Sequence, residues 1–108
     1  MLIPKDPPII DREFMVELKQ IIGRCEWPDG CRTRDSLQTC HIRARGMGGG
    51  RRKDTEDNLV ILCAVHHYKY DNQMGQSPEN QGWMKTALGR RTDAENRKIR
   101  DYLASRAT

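Results

Sequence analysis

The placement of the cysteines and histidines constrains this chain more than any other feature. Its 108 residues include only four cysteines and three histidines. Cys25 and Cys31 flank a Pro-Asp-Gly turn signal that can fold their long spacing back, and Cys63 and His66 form a C-x-x-H motif. Two such pairs, separated in sequence, are typical of a closed tetrahedral zinc site. We therefore predict a structural zinc ion bound by these four residues.

The composition favours the same interpretation. Apolar residues are 36% of the chain, charged residues are 31%, and the mean hydropathy is −0.84. A core this thin must offset a backbone entropy of about 1–2 kcal/mol per residue, and zinc can add on the order of 10 kcal/mol to folding. Two alternatives stay open: Cys40 replaces one of the ligands, or the cysteines are buried thiols beside a satisfied histidine.

The longest apolar run is too short to span a membrane, and no signal peptide is evident. We therefore expect a cytoplasmic protein with no membrane partner, in which disulfides are rare. The small size and the glycine-rich basic loop suit a bacterial or phage-encoded protein.

Local signals divide the chain into an extended arm at 1–10, which holds three prolines, and a single domain at 11–108. Asp11 is the predicted N-cap of a first helix, with Phe14, Val16, Leu18, Ile21 and Ile22 as its apolar residues and Gly23 as its end. Two short strands, "DSLQTCHI" and "NLVILC", flank the loop "RARGMGGGRRKDTED" and precede a short helix. The predicted class is α+β.

Two further helices are predicted at about 77–107. The first follows Ser77-Pro78 and runs to Gly89. The second begins at the capping box Thr92-x-x-Glu95 and turns Ile99, Tyr102 and Leu103 towards the core.

Positive charge is concentrated between the two strands. The net charge is +4 and the isoelectric point is about 9.0. Side chains of this kind can pair with backbone phosphates, which predicts a nucleic-acid partner. The candidate residues are Arg43, Arg45, Arg51, Arg52 and Lys53.

The run from His41 through Gly48-Gly49 and Asp57-Asn58-Leu59 to Leu62-Cys63-x-x-His66-His67 resembles the HNH endonuclease family, whose fold is the ββα-metal motif. The resemblance covers roughly residues 25–72. It implies that the chain is a small HNH core with a zinc site and flanking helices.

The resemblance also implies roles for individual residues. His41 would be the general base, Asn58 would orient the loop that carries it, and His67 would bind one catalytic divalent metal. Cys40 stands where the family usually places an Asp or His ligand of that metal.

Cys40 leaves three interpretations open. Its thiolate binds a softer catalytic metal, it is a plain buried thiol while Asp54, Asp57 or Asp71 is the ligand, or the site is degraded and the domain only binds nucleic acid. The candidate catalytic metals are Mg²⁺ and Mn²⁺, with Ni²⁺ and Zn²⁺ as further candidates.

The sequence therefore predicts a metal-dependent endonuclease that nicks or cuts DNA with low sequence specificity. One alternative is a non-catalytic, zinc-stabilised module that binds nucleic acid. Another is an interaction domain whose Cys/His pairs are purely structural. The helix of Trp83, Met84 and Leu88 and the C-terminal helix together offer a face for a homodimer, although core packing is the simpler use of these residues.

Overall fold

A two-stranded antiparallel sheet lies between the helices of the protein. The structure is a computed structural model that describes residues 8–31, 33–43 and 52–106. Within these ranges it is a small mixed α+β protein, the predicted class. Its elements are α1 (Arg12–Ile22), β1 (Leu37–His41), β2 (Leu59–Cys63), α2 (Ala64–Tyr68), α3 (Pro78–Lys85) and α4 (Asp93–Arg106). A π-helical segment, Lys69–Met74, continues α2, and a 3₁₀ turn, Leu88–Arg90, follows α3.

β2 is buried along its whole length because both of its faces are covered. In the antiparallel register Leu37 pairs with Cys63 and His41 pairs with Leu59. Side chains alternate along a strand, so β2 contributes to two apolar clusters. Leu59 and Ile61 pack with residues of α1 and α4. The other cluster contains Cys40, Ile42, Val60, Leu62, Tyr70 and Met84.

α1 begins and ends where the sequence predicts. The Asp11 carboxylate accepts a hydrogen bond from the Phe14 amide, and Gly23 ends the helix with a φ of 60°. The buried face of α1 consists of Phe14, Leu18 and Ile22. Val16, predicted among the apolar residues of this helix, is instead 54% exposed.

α3 is shorter than predicted, since it ends at Lys85 rather than at Gly89. The amides of Thr86 and Ala87 bond to carbonyls three residues back, which tightens the last turn into 3₁₀ geometry. The capping box of α4 is present, with reciprocal bonds of 2.9 and 3.0 Å between Thr92 and Glu95.

Of the predicted arm, residues 1–7 lie outside the described ranges, and Ile9 forms a parallel bridge with Lys53. In the part of the chain that is described, no helix combines the length and the apolar character needed to cross a membrane.

A buried ion pair that the sequence does not reveal ties the segments after α1 and before α4 to β2. The Arg91 and Glu26 side chains are 3% and 1% exposed, and two nitrogens of Arg91 lie 2.9 and 3.0 Å from the Glu26 carboxylate. Glu26 also accepts from the Ile61 amide, and Arg91 donates to the Leu59 carbonyl. The carboxylate and the guanidinium are therefore hydrogen-bonded both to each other and to the backbone of β2.

Removing one member of this pair should be far more damaging than breaking a surface pair. We expect Arg91→Ala to lower the free energy of unfolding by about 3–5 kcal/mol, because it leaves Glu26 buried and unpaired. Arg24→Ala, which breaks the partly exposed pair with Glu95, should cost about 0–1 kcal/mol. Urea titrations of both variants measure the difference, and equal losses would contradict the role assigned to Arg91.

Candidate metal centres and nucleic-acid interface

The structure brings together the four side chains predicted to bind zinc. The ligand atoms of Cys25, Cys31, Cys63 and His66 all lie within 4.8 Å of one another. His66 Nδ1 is 3.5 Å from the Cys25 sulfur and 3.4 Å from the Cys63 sulfur. With zinc–sulfur and zinc–nitrogen bonds of about 2.3 and 2.0 Å, a regular tetrahedron has an S···N edge of about 3.5 Å. This Cys₃His set can therefore bind a metal such as zinc.

A tight turn explains how the long Cys25–Cys31 spacing is accommodated. The Gly30 amide donates to the Trp27 carbonyl at 2.9 Å, and Gly30 has a φ of 99°, which favours glycine. The Cys25 amide donates to the Thr33 carbonyl, which brings the two ends of the turn together. Both thiols then face the end of β2.

The protonation of this set makes metal binding dependent on pH. The described cysteines are free of disulfides. Burial raises the pKa of the Cys25 thiol to about 12, and burial also lowers the pKa of His66, whose ring stacks on Trp27 with centroids 4.4 Å apart. A metal requires thiolate and neutral imidazole, so its binding must release the Cys25 proton, and its affinity should fall as the pH falls.

A second set of potential ligands includes His67, the residue that follows His66 in α2. The ligand atoms of Cys40, His67 and Asp71 lie within 4.8 Å of one another, and such a group can hold a metal ion. His67 Nε2 is 2.9 Å from the Asp71 carboxylate, and His67 Nδ1 is 2.6 Å from Gln38 Oε1. The Cys40 sulfur is 3.9 Å from Asp71. Burial, reinforced by the Asp71 charge, raises the pKa of the Cys40 thiol well above its usual range.

Of the three carboxylates that the sequence leaves open as ligands, only Asp71 lies in this set. Asp57 accepts a hydrogen bond from the Thr55 hydroxyl, and Asp54 pairs with His41 and Arg52. The only sequence signal that could have selected Asp71 is its i,i+4 spacing from His67, which places both side chains on one helical face.

His41 is held by a fully buried carboxylate. His41 Nε2 is 2.6 Å from Asp54 Oδ1, and the Asp54 side chain is 0% exposed. Arg52 donates to both oxygens of Asp54 at 2.9 Å, and the Asp11 amide donates to Oδ2 at 2.8 Å. Burial would raise the pKa of Asp54, but the hydrogen bonds from Arg52, Asp11 and His41 outweigh it and lower the pKa to about 2.

The structure does not place the His41 ring in the Cys40–His67–Asp71 set. Cys40 and His41 are consecutive in β1, so their side chains leave the strand on opposite faces. Cys40 packs in the cluster with Tyr70, whereas the ring contact of His41 is with Asp54.

Asn58 joins the two ends of the segment that connects the strands. Its side-chain oxygen accepts from the Arg43 amide at 2.9 Å, and its side-chain nitrogen donates to the carbonyls of Arg43 and Lys53. These bonds fix the backbone just beyond His41.

The predicted basic residues fall into three groups. Arg45 and Arg51 lie outside the described residues, and Arg52 is engaged by Asp54. Arg43 and Lys53 line a pocket of about 400 Å³ beside Asn58. Lys85 of α3, which sequence reasoning missed, adds a third cation to this pocket.

Comparisons with known proteins give no assignment: no family model matches the chain, and neither a curated protein nor a solved structure is significantly similar to it. Function must therefore be inferred from the side chains that the fold brings together.

The two adjacent histidines should have separable effects on zinc content. We expect about one zinc ion per chain, retained in His67→Ala and lost in His66→Ala and Cys63→Ser. Loss of the metal should lower the melting temperature by more than about 10 °C, because metal binding is coupled to folding. Elemental analysis with thermal unfolding measures both, and equal effects of His66→Ala and His67→Ala would refute the division of roles.

Asp54 should stabilise the fold in a way that depends on pH. The pKa is lowered from 3.8 to about 2, which corresponds to about 2 kcal/mol of stability. This contribution is present above an unfolded-state pKa of about 3.9 and is lost as the pH falls through about 2. We therefore expect Asp54→Asn to be about 2 kcal/mol less stable at neutral pH, with a difference that shrinks below about pH 4. Denaturant unfolding of both proteins across this range tests it, and a difference that grew with acidity would contradict the assignment.

Proposed function

We propose that the protein is a metal-dependent endonuclease of the HNH type that hydrolyses DNA phosphodiesters. In this proposal β1, β2 and α2 are the ββα-metal core. The observation that carries the proposal is the convergence of Cys40, His67 and Asp71 within 4.8 Å, next in the chain to His41. A purely structural zinc module has no need of this second set.

His41 is the proposed general base. Asp54 has a pKa of about 2, so its carboxylate is ionised at neutral pH and can only accept hydrogen bonds. The hydrogen bond from His41 therefore keeps the ring proton on Nε2. Nδ1 then carries a lone pair that can take a proton from the attacking water. Asp54 would thus select the ring tautomer and hold its orientation, and Asn58 would hold the backbone that follows.

The donor set of Cys40, His67 and Asp71 fits a divalent transition metal. It combines one carboxylate, one imidazole and one thiol, which suits Mn²⁺, Ni²⁺ or Zn²⁺ better than Mg²⁺. A cation bound there would supply Lewis-acid stabilisation of the leaving 3′ oxygen. The Gln38 side-chain oxygen, which lies 2.6 Å from His67 Nδ1, would orient the His67 ring and leave Nε2 for the metal.

Phosphates of the bound DNA would be neutralised by the pocket beside Asn58. Its cations Arg43, Lys53 and Lys85 come from three separate parts of the chain, and among the described lining residues they face a single carboxylate, Asp57. This excess of positive charge favours an anionic ligand.

The buried Cys40 thiol favours one competing function. Its raised pKa opposes the thiolate that a metal requires. If Cys40 remains a thiol and no metal binds, the domain is a non-catalytic, zinc-stabilised module that binds nucleic acid through its basic residues.

A supercoiled-plasmid assay separates these functions. Purified protein is incubated with plasmid and Mg²⁺, Mn²⁺, Ni²⁺, Zn²⁺ or no added metal. We expect metal-dependent conversion to open-circle or linear DNA that falls by at least about 100-fold in His41→Ala, since a general base contributes roughly 10²–10⁴-fold. Asp71→Asn should reduce the response to metal, whereas Asp101→Asn, which removes the same charge from exposed α4, should not.

Zinc content and melting temperature of each variant establish that the fold is retained. Plasmid that is retarded on a gel but converted by no metal would assign the protein to the binding module. Cleavage by His41→Ala at the wild-type rate would overturn the assignment of the base.

A further inference from the structure

A second stripe of side chains on α1 is partly or fully exposed, and within it Met15 also packs against the edge of the core. Arg12, Met15, Val16 and Lys19 recur at i, i+3, i+4 and i+7, the spacing of one helical face. Val16 is 54% exposed, whereas Phe14, Leu18 and Ile22 form the buried face of the helix. The stripe is therefore apolar in its middle and basic at both ends.

This stripe is one wall of a groove whose other wall is β1. The groove has a volume of about 400 Å³. The Thr39 hydroxyl donates to the Met15 carbonyl at 2.9 Å and holds the two walls at a fixed separation. The lining residues are Arg12, Met15, Val16, Lys19, Leu37, Gln38, Thr39 and Arg52.

The positive charge of the groove favours an anionic ligand. Among the described residues, Arg12, Lys19 and Arg52 line it and no carboxylate does. Arg52 is already paired with Asp54, so Arg12 and Lys19 carry most of the available charge. They lie seven residues apart, which is about 10 Å along a helix, on either side of the apolar middle.

Gln38 connects the groove to the proposed metal set. The same residue lines this groove and the pocket formed by His67, Tyr68 and Asp71. Its side-chain oxygen lies 2.6 Å from His67 Nδ1. A chain of phosphates held beside His67 can therefore continue into the groove without leaving the protein surface.

We propose that the groove between α1 and β1 binds a single, unpaired strand of DNA that leads to the Cys40–His67–Asp71 set. The inference rests on the proposed function and adds to it a substrate class, DNA with an unpaired segment. Bases and sugars of an unpaired strand can cover Met15, Val16 and Leu37 while the phosphates pair with Arg12 and Lys19. A duplex keeps its base faces stacked inside and offers these apolar residues no comparable contact.

The test is binding of a fluorescently labelled single-stranded oligonucleotide, and of the matching duplex, without added divalent metal. Affinity is measured by anisotropy from 50 to 300 mM salt. We expect Arg12→Ala/Lys19→Ala to weaken single-strand binding and to reduce the slope of log affinity against log salt by about 1.4, since each lost contact removes about 0.7. Val16→Ser should weaken single-strand binding severalfold with the slope unchanged.

The matched control is Arg97→Ala/Lys98→Ala, which removes the same two charges from the exposed face of α4. This control should keep the wild-type slope. Equal effects of the two double variants, or an equal loss for duplex and single strand, would overturn the groove as a single-strand site. Displacement of the oligonucleotide from the groove by oligoglutamate at equal charge would assign the groove to an acidic protein partner instead.

Failure of this proposal is distinguishable from failure of the proposed function. If the wild type converts plasmid with metal but the Arg12/Lys19 variant binds the single strand normally, only the groove is refuted. If the wild type neither converts plasmid nor binds either oligonucleotide, both proposals are refuted.

Discussion

The Cys₃His set at the end of β2 is the interaction on which the remaining structure depends. It joins the turn after α1 to the junction of β2 and α2, two parts of the chain that are far apart in sequence. Without a metal, three thiols and a ring would be gathered at this junction with only weak hydrogen bonds among them. A bound metal would convert that weak contact into four strong ligand bonds, and this matters in a chain whose apolar content is only 36%.

The same set explains why two adjacent histidines lie in different groups of potential metal ligands. α2 begins directly after Cys63, so a metal at His66 would fix the rotation of the helix about its axis. The next residue is rotated by about 100° in an α-helix, which carries His67 away from the Cys₃His set and towards Gln38 and Asp71. In the proposed function, the structural metal would therefore orient a ligand of the catalytic one.

Local signals in the sequence predicted much of the fold because each is complete within a few residues. The caps at Asp11, Gly23 and Thr92 and the two Cys/His pairs all occur where they were predicted. The Arg91–Glu26 pair is 65 residues apart in sequence and the His41–Asp54 pair is 13 apart, and nothing in either neighbourhood marks one as the partner of the other. The exposure of Val16 was also not predictable, since it depends on which faces of α1 the sheet and α4 cover.

β1 is where the separate parts of the proposed site meet. Within the described residues it pairs only with β2, so its outer edge is free of a strand partner. On one face of β1, Gln38 and Cys40 lie next to His67 and Asp71. On the other face, Thr39 contacts Met15 of α1 and His41 contacts Asp54. Because His41 and the Cys40–His67–Asp71 set lie on opposite faces of β1, a single phosphate could approach both only at that edge. In the proposed function, an unpaired strand could follow this edge, whereas a rigid duplex would need to open or bend first. In the proposed function, the geometry of β1 would therefore favour DNA that is already distorted or single-stranded at the point of cleavage.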